Sequence, residues 1–193
     1  MSLIEIIASV FGLICVWLTV RENIWCWPTG LVMIVLLFFV YYDQRLYSQM
    51  CLQVVYVFLQ FYGWYEWKYG GDTGELPVTR MTPKAIALWS SIAITGALGL
   101  GTFMHLKFAA DFPYIDATIT VFSLIAQYLM ARKLLECWLI WITVDVLSVG
   151  MYLAIPLYAL AGLYTVFLVL ATMGWFEWKK SFRKKNAEAL QPA

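Results

Sequence analysis

The sequence GWYEWK at residues 63–68 recurs as GWFEWK at residues 174–179, at an offset of 111 residues. The same offset aligns Arg21 with Arg132 and the Cys-Trp pair at 26–27 with the pair at 137–138, and no gap is needed. Apolar sequence of low complexity can imitate a repeat, but it does not align Trp, Gly, Glu and Arg over three segments. We therefore infer an internal duplication, which sets the architecture of the chain.

The composition predicts an integral membrane protein. Hydrophobic residues make up 63% of the 193 residues and charged residues 13%, whereas a soluble domain has about half and about a quarter. So few charges could not cover a soluble surface. The formal net charge of +1 does not favour a nucleic-acid partner, and the lipid bilayer is the expected environment. Because the first segment lacks the basic start and cleavage pattern of a signal peptide, we expect it to be a helix of the mature protein.

Seven segments approach the length of about 20 mostly apolar residues that a membrane-spanning helix needs. They are residues 3–20, 27–42, 47–67, 85–103, 116–130, 138–153 and 157–178. The duplication makes helices one to three equivalent to helices five to seven. Because four crossings separate helix one from helix five, the two repeats run parallel. The predicted fold class is an all-α membrane protein with seven transmembrane helices, in which a linker helix joins two parallel three-helix repeats (3+1+3), as in SWEET sugar transporters.

This layout divides the chain into four parts. They are the first three-helix repeat (1–68), the loops and linker helix four (69–112), the second repeat (113–179) and a basic cytoplasmic tail (180–193), which we expect to fray from Lys179 onward. The side of the N-terminus carries Arg45 and Lys107, and the opposite side carries the other eleven of the thirteen Lys and Arg residues. Since basic residues stay cytoplasmic, we predict that the N-terminus lies outside and the C-terminus inside.

Polar side chains form stripes at helical period on three of the helices. The predicted substrate site comprises Trp138, Trp141, Asp145 and Tyr152 on helix six, Asp116, Thr120 and Gln127 on helix five, and Gln53, Tyr56 and Gln60 on helix three. Polar groups inside a membrane are costly and usually face a cavity or a partner helix. Aromatic walls that stack on a planar ring, with amides and hydroxyls beside them, suit a polar solute that contains a ring. The alternative is that the single polar groups form interhelical hydrogen bonds of about 1 kcal/mol each.

Other features point to packing or to functions that the chain lacks. Ser91, Thr95 and Gly99 form a small-residue face on helix four that we expect to pack against another helix, and we expect Glu66 and Glu177 to pair with nearby basic residues. The only histidine, His105, is predicted to lie in a loop, so we expect no zinc site and no cofactor. Phosphate-binding glycine loops and the HExxH and GxSxG motifs are missing from the sequence. We therefore expect neither an enzyme nor ATP-driven transport by this chain alone.

Two stretches of sequence resemble the PnuC-type nicotinamide riboside transporter family of bacteria over roughly residues 3–180. They are RKLLECWLIWITVD at 132–145 and YGWYEW at 62–67, and the duplicated layout agrees with them. The resemblance implies that Trp138 and Trp141 match the family's tryptophan pair that lines the substrate pocket, whereas Cys137 stands where the family commonly has Asn. It also implies facilitated diffusion across the inner membrane, a trimer, and a cytosolic kinase that traps the solute by phosphorylation.

We therefore expect a bacterial inner-membrane uniporter for nicotinamide riboside. A transporter of thiamine or another vitamin on the same scaffold is an open alternative, because nicotinamide riboside and thiamine are both cations that Asp116 or Asp145 could attract. The same two carboxylates also leave coupling to an ion gradient open. The alternative from another class is a membrane-embedded assembly or solute-binding protein that binds a solute without moving it.

Overall fold

The computed structural model describes residues 3–43, 47–71, 76–107 and 112–189. This part of the chain forms seven α-helices, so the predicted all-helical class is confirmed. They are α1 (Leu3–Val20), α2 (Cys26–Asp43), α3 (Tyr47–Tyr69), α4 (Pro83–Lys107), α5 (Pro113–Ala131), α6 (Cys137–Ala154) and α7 (Tyr158–Ala189). Arg45, on which part of the orientation argument rests, lies outside the described residues.

Six of these helices, all except α3, are long and apolar enough to cross a membrane. Large apolar side chains are exposed along them, among them Leu3 (73%), Leu88 (58%), Val146 (52%) and Val169 (56%). A soluble protein does not leave apolar surface of this extent in contact with water. Lipid covers such a surface without cost, so the helix surfaces agree with the composition.

Helix α3 has the length of a spanning helix but a more polar sequence. Its 23 residues extend over about 35 Å. Its glutamines Gln53 and Gln60 are only 6% and 5% exposed, whereas Phe58 and Phe61 on its surface are 70% and 52% exposed. Polar groups turned inward and aromatic groups turned outward are the distribution expected of a helix in hydrocarbon.

The chain contains two compact units, of which the first holds α1, α2, α3, residues 131–133 and the end of α7. The buried indole of Trp27 organises this unit. Its ring lies against Gly63, where a side chain would collide with it, and it meets Trp67 edge-on at 5.4 Å. The missing side chain at Gly63 therefore lets α2 and α3 approach closely.

The second unit contains residues 79–130 and 134–175, and α4 packs antiparallel to α5 within it. Trp89 near the start of α4 contacts Tyr128 near the end of α5, with 5.1 Å between ring centroids. Near the opposite ends of the two helices, a side chain at Gly101 would collide with Tyr114. The packing face of α4 thus contains Gly101 and the buried Ala97.

The small-residue face predicted for α4 is therefore wrong. Ser91, Thr95 and Gly99 are exposed, and no atom of the described residues lies within 4 Å of the position that a Gly99 Cβ would take. The hydroxyl groups bond to carbonyls of their own helix, Ser91 to Ala87 at 2.9 Å and Thr95 to Ser91 at 2.7 Å. Small residues occur on two faces of α4, and the sequence does not show which face α5 covers.

A short clamp holds the start of α6 in place. The carbonyl of Thr79 accepts a hydrogen bond from the Leu135 amide at 2.9 Å. The carboxylate of Glu136 binds the Arg80 guanidinium at 3.1 Å and accepts a hydrogen bond from the Met81 amide at 3.0 Å. The extended segment before α4 therefore positions the first turn of α6, which leads into the polar stripe.

The turn between α1 and α2 and the turn between α5 and α6 have the same local geometry. Glu22 has φ 55° and Lys133 has φ 48°, and the two residues are 111 positions apart. One residue further on, the amide of residue 23 donates to the carbonyl of residue 18 (2.9 Å), and the amide of residue 134 donates to that of residue 129 (3.0 Å). The duplicated sequence thus produces duplicated turns.

Two predicted helix ends are wrong. Helix α7 runs on to Ala189, so residues 179–189 extend the helix and do not fray. They contain Lys, Arg and Ala, which are good helix formers, and no Gly or Pro. Helix α4 likewise includes His105 in its last turn, because no helix breaker follows Phe103 before Lys107. Residues 190–193 of the predicted tail lie outside the described residues.

Candidate functional site

The strongest site feature is one face of α6. Asp145 is only 4% exposed, and none of the ion pairs among the described residues involves it. Trp141 and Ser148 share its face, because residues three and four apart lie above one another on a helix. The Trp141 Nε1 and Ser148 Oγ atoms are buried and have no hydrogen-bond partner within the described part of the chain. A buried polar group without a partner costs about 1–3 kcal/mol, so the fold alone does not explain this face.

Comparison with the first repeat shows that the fold does not require this polarity. The residues of α2 at the equivalent positions, 111 earlier, are Gly30, Ile34 and Leu37. None of them has a polar side chain. The polar face therefore belongs to the second repeat alone, which favours a role in binding over a role in building the bundle.

Trp138, by contrast, occupies a position with the same packing in both repeats. It is 1% exposed, as Trp27 is 2% exposed. Its ring lies against Gly174, and the ring of Trp27 lies against Gly63 in the same way. The two tryptophans of the predicted pair therefore have different surroundings, and contact of Trp138 with a solute stays a prediction.

Four more of the predicted site residues lie in the second unit. Asp116, Thr120 and Gln127 are half-buried on α5, and Tyr152 is half-buried on α6. Asp116 lies within electrostatic range of Tyr152. The ring of Tyr152 packs on the ring of Tyr164 in α7, with 5.3 Å between the ring centroids. The second unit thus brings the start of α5 close to the end of α6.

The three site residues predicted on helix three lie in the first unit. Gln53 is buried and Tyr56 half-buried. The Gln60 amide donates a hydrogen bond to the Trp27 carbonyl at 3.3 Å, and the missing side chain of Gly30 leaves room for it. Gln60 therefore makes the kind of interhelical hydrogen bond that the sequence left open as the alternative to substrate binding.

The first unit also contains a buried lysine that was not predicted from the sequence. The Lys133 ammonium pairs with Glu22 at 3.2 Å and lies 4.5 Å from the centroid of a Trp67 ring. Beside it, Arg132 pairs with Glu66 at 3.2 Å, which confirms the pairing predicted for Glu66. Glu22 and Lys133 occupy equivalent positions of the two repeats, 111 residues apart. The repeat therefore could have pointed to this ion pair. Glu177 forms no ion pair with the described basic residues.

The chain belongs to the nicotinamide mononucleotide transporter family, whose sequence profile matches residues 2–180. Family membership, together with the apolar helices, identifies it as a multi-pass membrane transporter and not an enzyme. It is 28% identical to the nicotinamide riboside transporter PnuC of Escherichia coli (strain K12), in an alignment that covers 98% of this chain and 90% of that protein. It is 27% identical, with the same coverage, to the riboflavin/roseoflavin transporter RibM of Streptomyces davaonensis.

The fold is similar to a solved structure. The crystal structure of the vitamin B3 transporter PnuC superposes with a TM-score of 0.76 at 26% sequence identity, covering 94% of this chain and 82% of that one. This agreement extends over nearly the whole chain, so the fold is similar to that of a transporter with a solved structure.

Proposed function

We propose that this protein is a uniporter that carries nicotinamide riboside by facilitated diffusion across a bacterial inner membrane. The observation that carries the proposal is the buried Asp145 on one face of α6, beside the Trp141 Nε1 and Ser148 Oγ atoms, which have no hydrogen-bond partner among the described residues. Nicotinamide riboside combines a cationic pyridinium ring with a ribose. A carboxylate offsets the positive ring, an indole attracts it through its π face, and the indole N–H and the serine hydroxyl can bind ribose oxygens.

The relatives support this choice of solute. PnuC proteins of Escherichia coli and Haemophilus influenzae, at 28% and 27% identity, are named as nicotinamide riboside transporters. The rival is another vitamin, because RibM, at 27% identity, is named as a riboflavin/roseoflavin transporter. Riboflavin is neutral, so a buried carboxylate favours a cationic solute over it. Thiamine is a cation and remains the rival within this class.

We propose that α1–α3 and α5–α7 are parallel repeats and that α4 is the linker that makes this possible. The equivalent turns at Glu22 and Lys133 and the equivalent tryptophan–glycine packing support the duplication. In this arrangement α3 is the seventh span, as its aromatic surface suggests. The division at residues 1–68, 69–112, 113–179 and 180–193 and a homotrimer, implied by the resemblance, are parts of the same proposal.

The orientation proposed here has the N-terminus outside and the C-terminus in the cytoplasm. Eleven of the thirteen basic residues are assigned to the C-terminal side, and basic loops stay cytoplasmic. Reporter domains fused after residue 2 and after residue 190 test it. We expect a periplasm-active reporter to work only at the first position, and a cytoplasmic N-terminus would contradict the orientation.

Transport is proposed to need neither ATP nor an ion gradient, since a cytosolic kinase that phosphorylates the solute would keep it inside. Purified protein in liposomes, with equal pH and salt on both sides, is therefore expected to exchange labelled nicotinamide riboside for unlabelled solute at full rate. Strict dependence on a pH gradient would make Asp116 or Asp145 a proton carrier instead.

The same liposomes separate the transporter from a protein that binds without moving its solute. Calorimetric titration with nicotinamide riboside, thiamine and riboflavin ranks the three vitamins. Tight binding without counterflow would overturn the transporter, and tighter binding of thiamine than of nicotinamide riboside would overturn the choice of solute.

A further inference from the structure

Helix α7 is much longer than a membrane span requires. Its 32 residues extend over about 48 Å, whereas the hydrocarbon core of a bilayer is about 30 Å thick. The part beyond the apolar segment is basic, with five cations in the seven positions 179–185. Because this part is helical, its cations are held at defined positions.

Some of these cations converge on a cavity of about 270 Å³ in the first unit. Arg21, Lys180, Lys184 and the Ser181 side chain line it, together with Glu22 and Glu177. The Glu22 carboxylate is already paired with Lys133 at 3.2 Å. Three cations and two carboxylates thus line the cavity, and one of the carboxylates already has a cationic partner, so the formal charge of the lining is positive.

The cavity lies where the apolar span gives way to the headgroup region. Arg21 directly follows α1, and its guanidinium lies 5.8 Å from the ring centroid of Trp17, which is 45% exposed. Exposed tryptophans are typical of the membrane interface. Val20 forms an apolar wall of the cavity, and Phe176, one turn before Lys180, is 63% exposed.

We propose that this cavity binds the phosphate of an anionic phospholipid headgroup. Arginine and lysine at a membrane surface attract anionic lipids, and a guanidinium binds phosphate oxygens with two parallel hydrogen bonds. The Ser181 hydroxyl supplies a further donor. The exposed Phe176 and Trp17 give an acyl chain an apolar surface beside the cavity, which a free phosphate ion would not use. Orientation by basic loops requires cations on one side of the membrane, but it does not require them to line a common cavity.

The test compares two double variants of the full-length protein with the same change in charge. Lys180→Gln/Lys184→Gln alters the cavity, and Arg183→Gln/Lys185→Gln alters neighbours in the same helical segment that do not line it. Native mass spectrometry of the detergent-purified protein measures the binding of phosphatidylglycerol and of phosphatidylcholine. We expect the parent protein to bind phosphatidylglycerol at least fivefold more tightly. The Lys180/Lys184 variant should show less than a twofold preference, and the Arg183/Lys185 variant should keep the preference of the parent.

Three outcomes would overturn the proposal. Equal loss of preference in both variants would mean general attraction between charges and no site. No preference in the parent protein would mean that the cavity does not select anionic lipid. Displacement of phosphatidylglycerol by an equal concentration of inorganic phosphate would mean that the ligand is a soluble anion. The melting temperatures of both variants without lipid should match that of the parent, because Lys180, Lys184, Arg183 and Lys185 are exposed.

Discussion

Replacing Asp145 by asparagine is expected to weaken the binding of nicotinamide riboside at least tenfold while thermal stability stays the same or rises. A pair of unit charges about 4 Å apart is worth roughly 4 kcal/mol at an effective dielectric constant of 20, and desolvation offsets part of it. If about 1.4 kcal/mol of this attraction remains, its loss in the variant raises Kd tenfold. Since Asp145 is 4% exposed and pairs with none of the described basic residues, its neutral isostere removes the cost of ionising a buried carboxyl group.

The two measurements are calorimetric titration of solute and thermal melting of the same Asp145→Asn sample. Asp43→Asn is the matched control, because Asp43 is exposed at the end of α2, and it should change neither quantity. A melting temperature that falls by several degrees while solute affinity is kept would mean that Asp145 holds the bundle together. Comparing solutes sharpens the test, since the loss should be large for a cation and small for neutral riboflavin.

Replacing Gly174 by valine is expected to destabilise the protein by about 2 kcal/mol, because overpacking a close contact typically costs about 1–3 kcal/mol. A Cβ atom at this position would lie 2.5 Å from the Trp138 ring. The matched control is Gly162→Val on the same helix, where no atom of the described residues lies within 4 Å of an added Cβ. Helix propensity changes equally at the two positions, so the difference between their melting temperatures reports the contact with Trp138.

A double-mutant cycle identifies the partner in this contact. Adding Trp138→Ala to Gly174→Val should cost less than the sum of the two single effects, because the collision no longer exists. Equal melting temperatures for the variants at Gly174 and Gly162 would show that the indole of Trp138 moves aside freely. That result would show that packing does not fix the position of Trp138, and it would favour contact of Trp138 with the solute.

Much of the fold follows from the sequence because a bilayer restricts what a chain can form. Backbone groups in hydrocarbon must bond within their own segment, so apolar runs of sufficient length become helices. Helix α1 accordingly has the predicted bounds of 3–20. The 111-residue duplication extends to the turns as well, since Glu22 and Lys133 both have a positive φ.

The ends of the helices and their packing faces were harder to predict from the sequence, because both depend on what lies outside the apolar run. The lengths of α4 and α7 were underestimated, since hydropathy falls where a helix leaves the lipid, whereas its backbone hydrogen bonds continue. The packing face of α4 was misplaced for a related reason. Two small-residue faces look equally suitable in sequence, and only contact with Tyr114 and Tyr128 of α5 selects one of them.

The sequence by itself determined the membrane environment, the helical class, the duplication and the polar stripe that contains Asp145, because each follows from composition or period. Tertiary structure decided which polar groups of the stripes already have a hydrogen-bond partner within the protein. Gln60 bonds to the Trp27 carbonyl, whereas Trp141 and Ser148 have buried polar atoms without a partner among the described residues. Periodicity reports which residues share a face, but whether a polar atom on that face has a partner depends on the neighbouring helix, which the period does not encode.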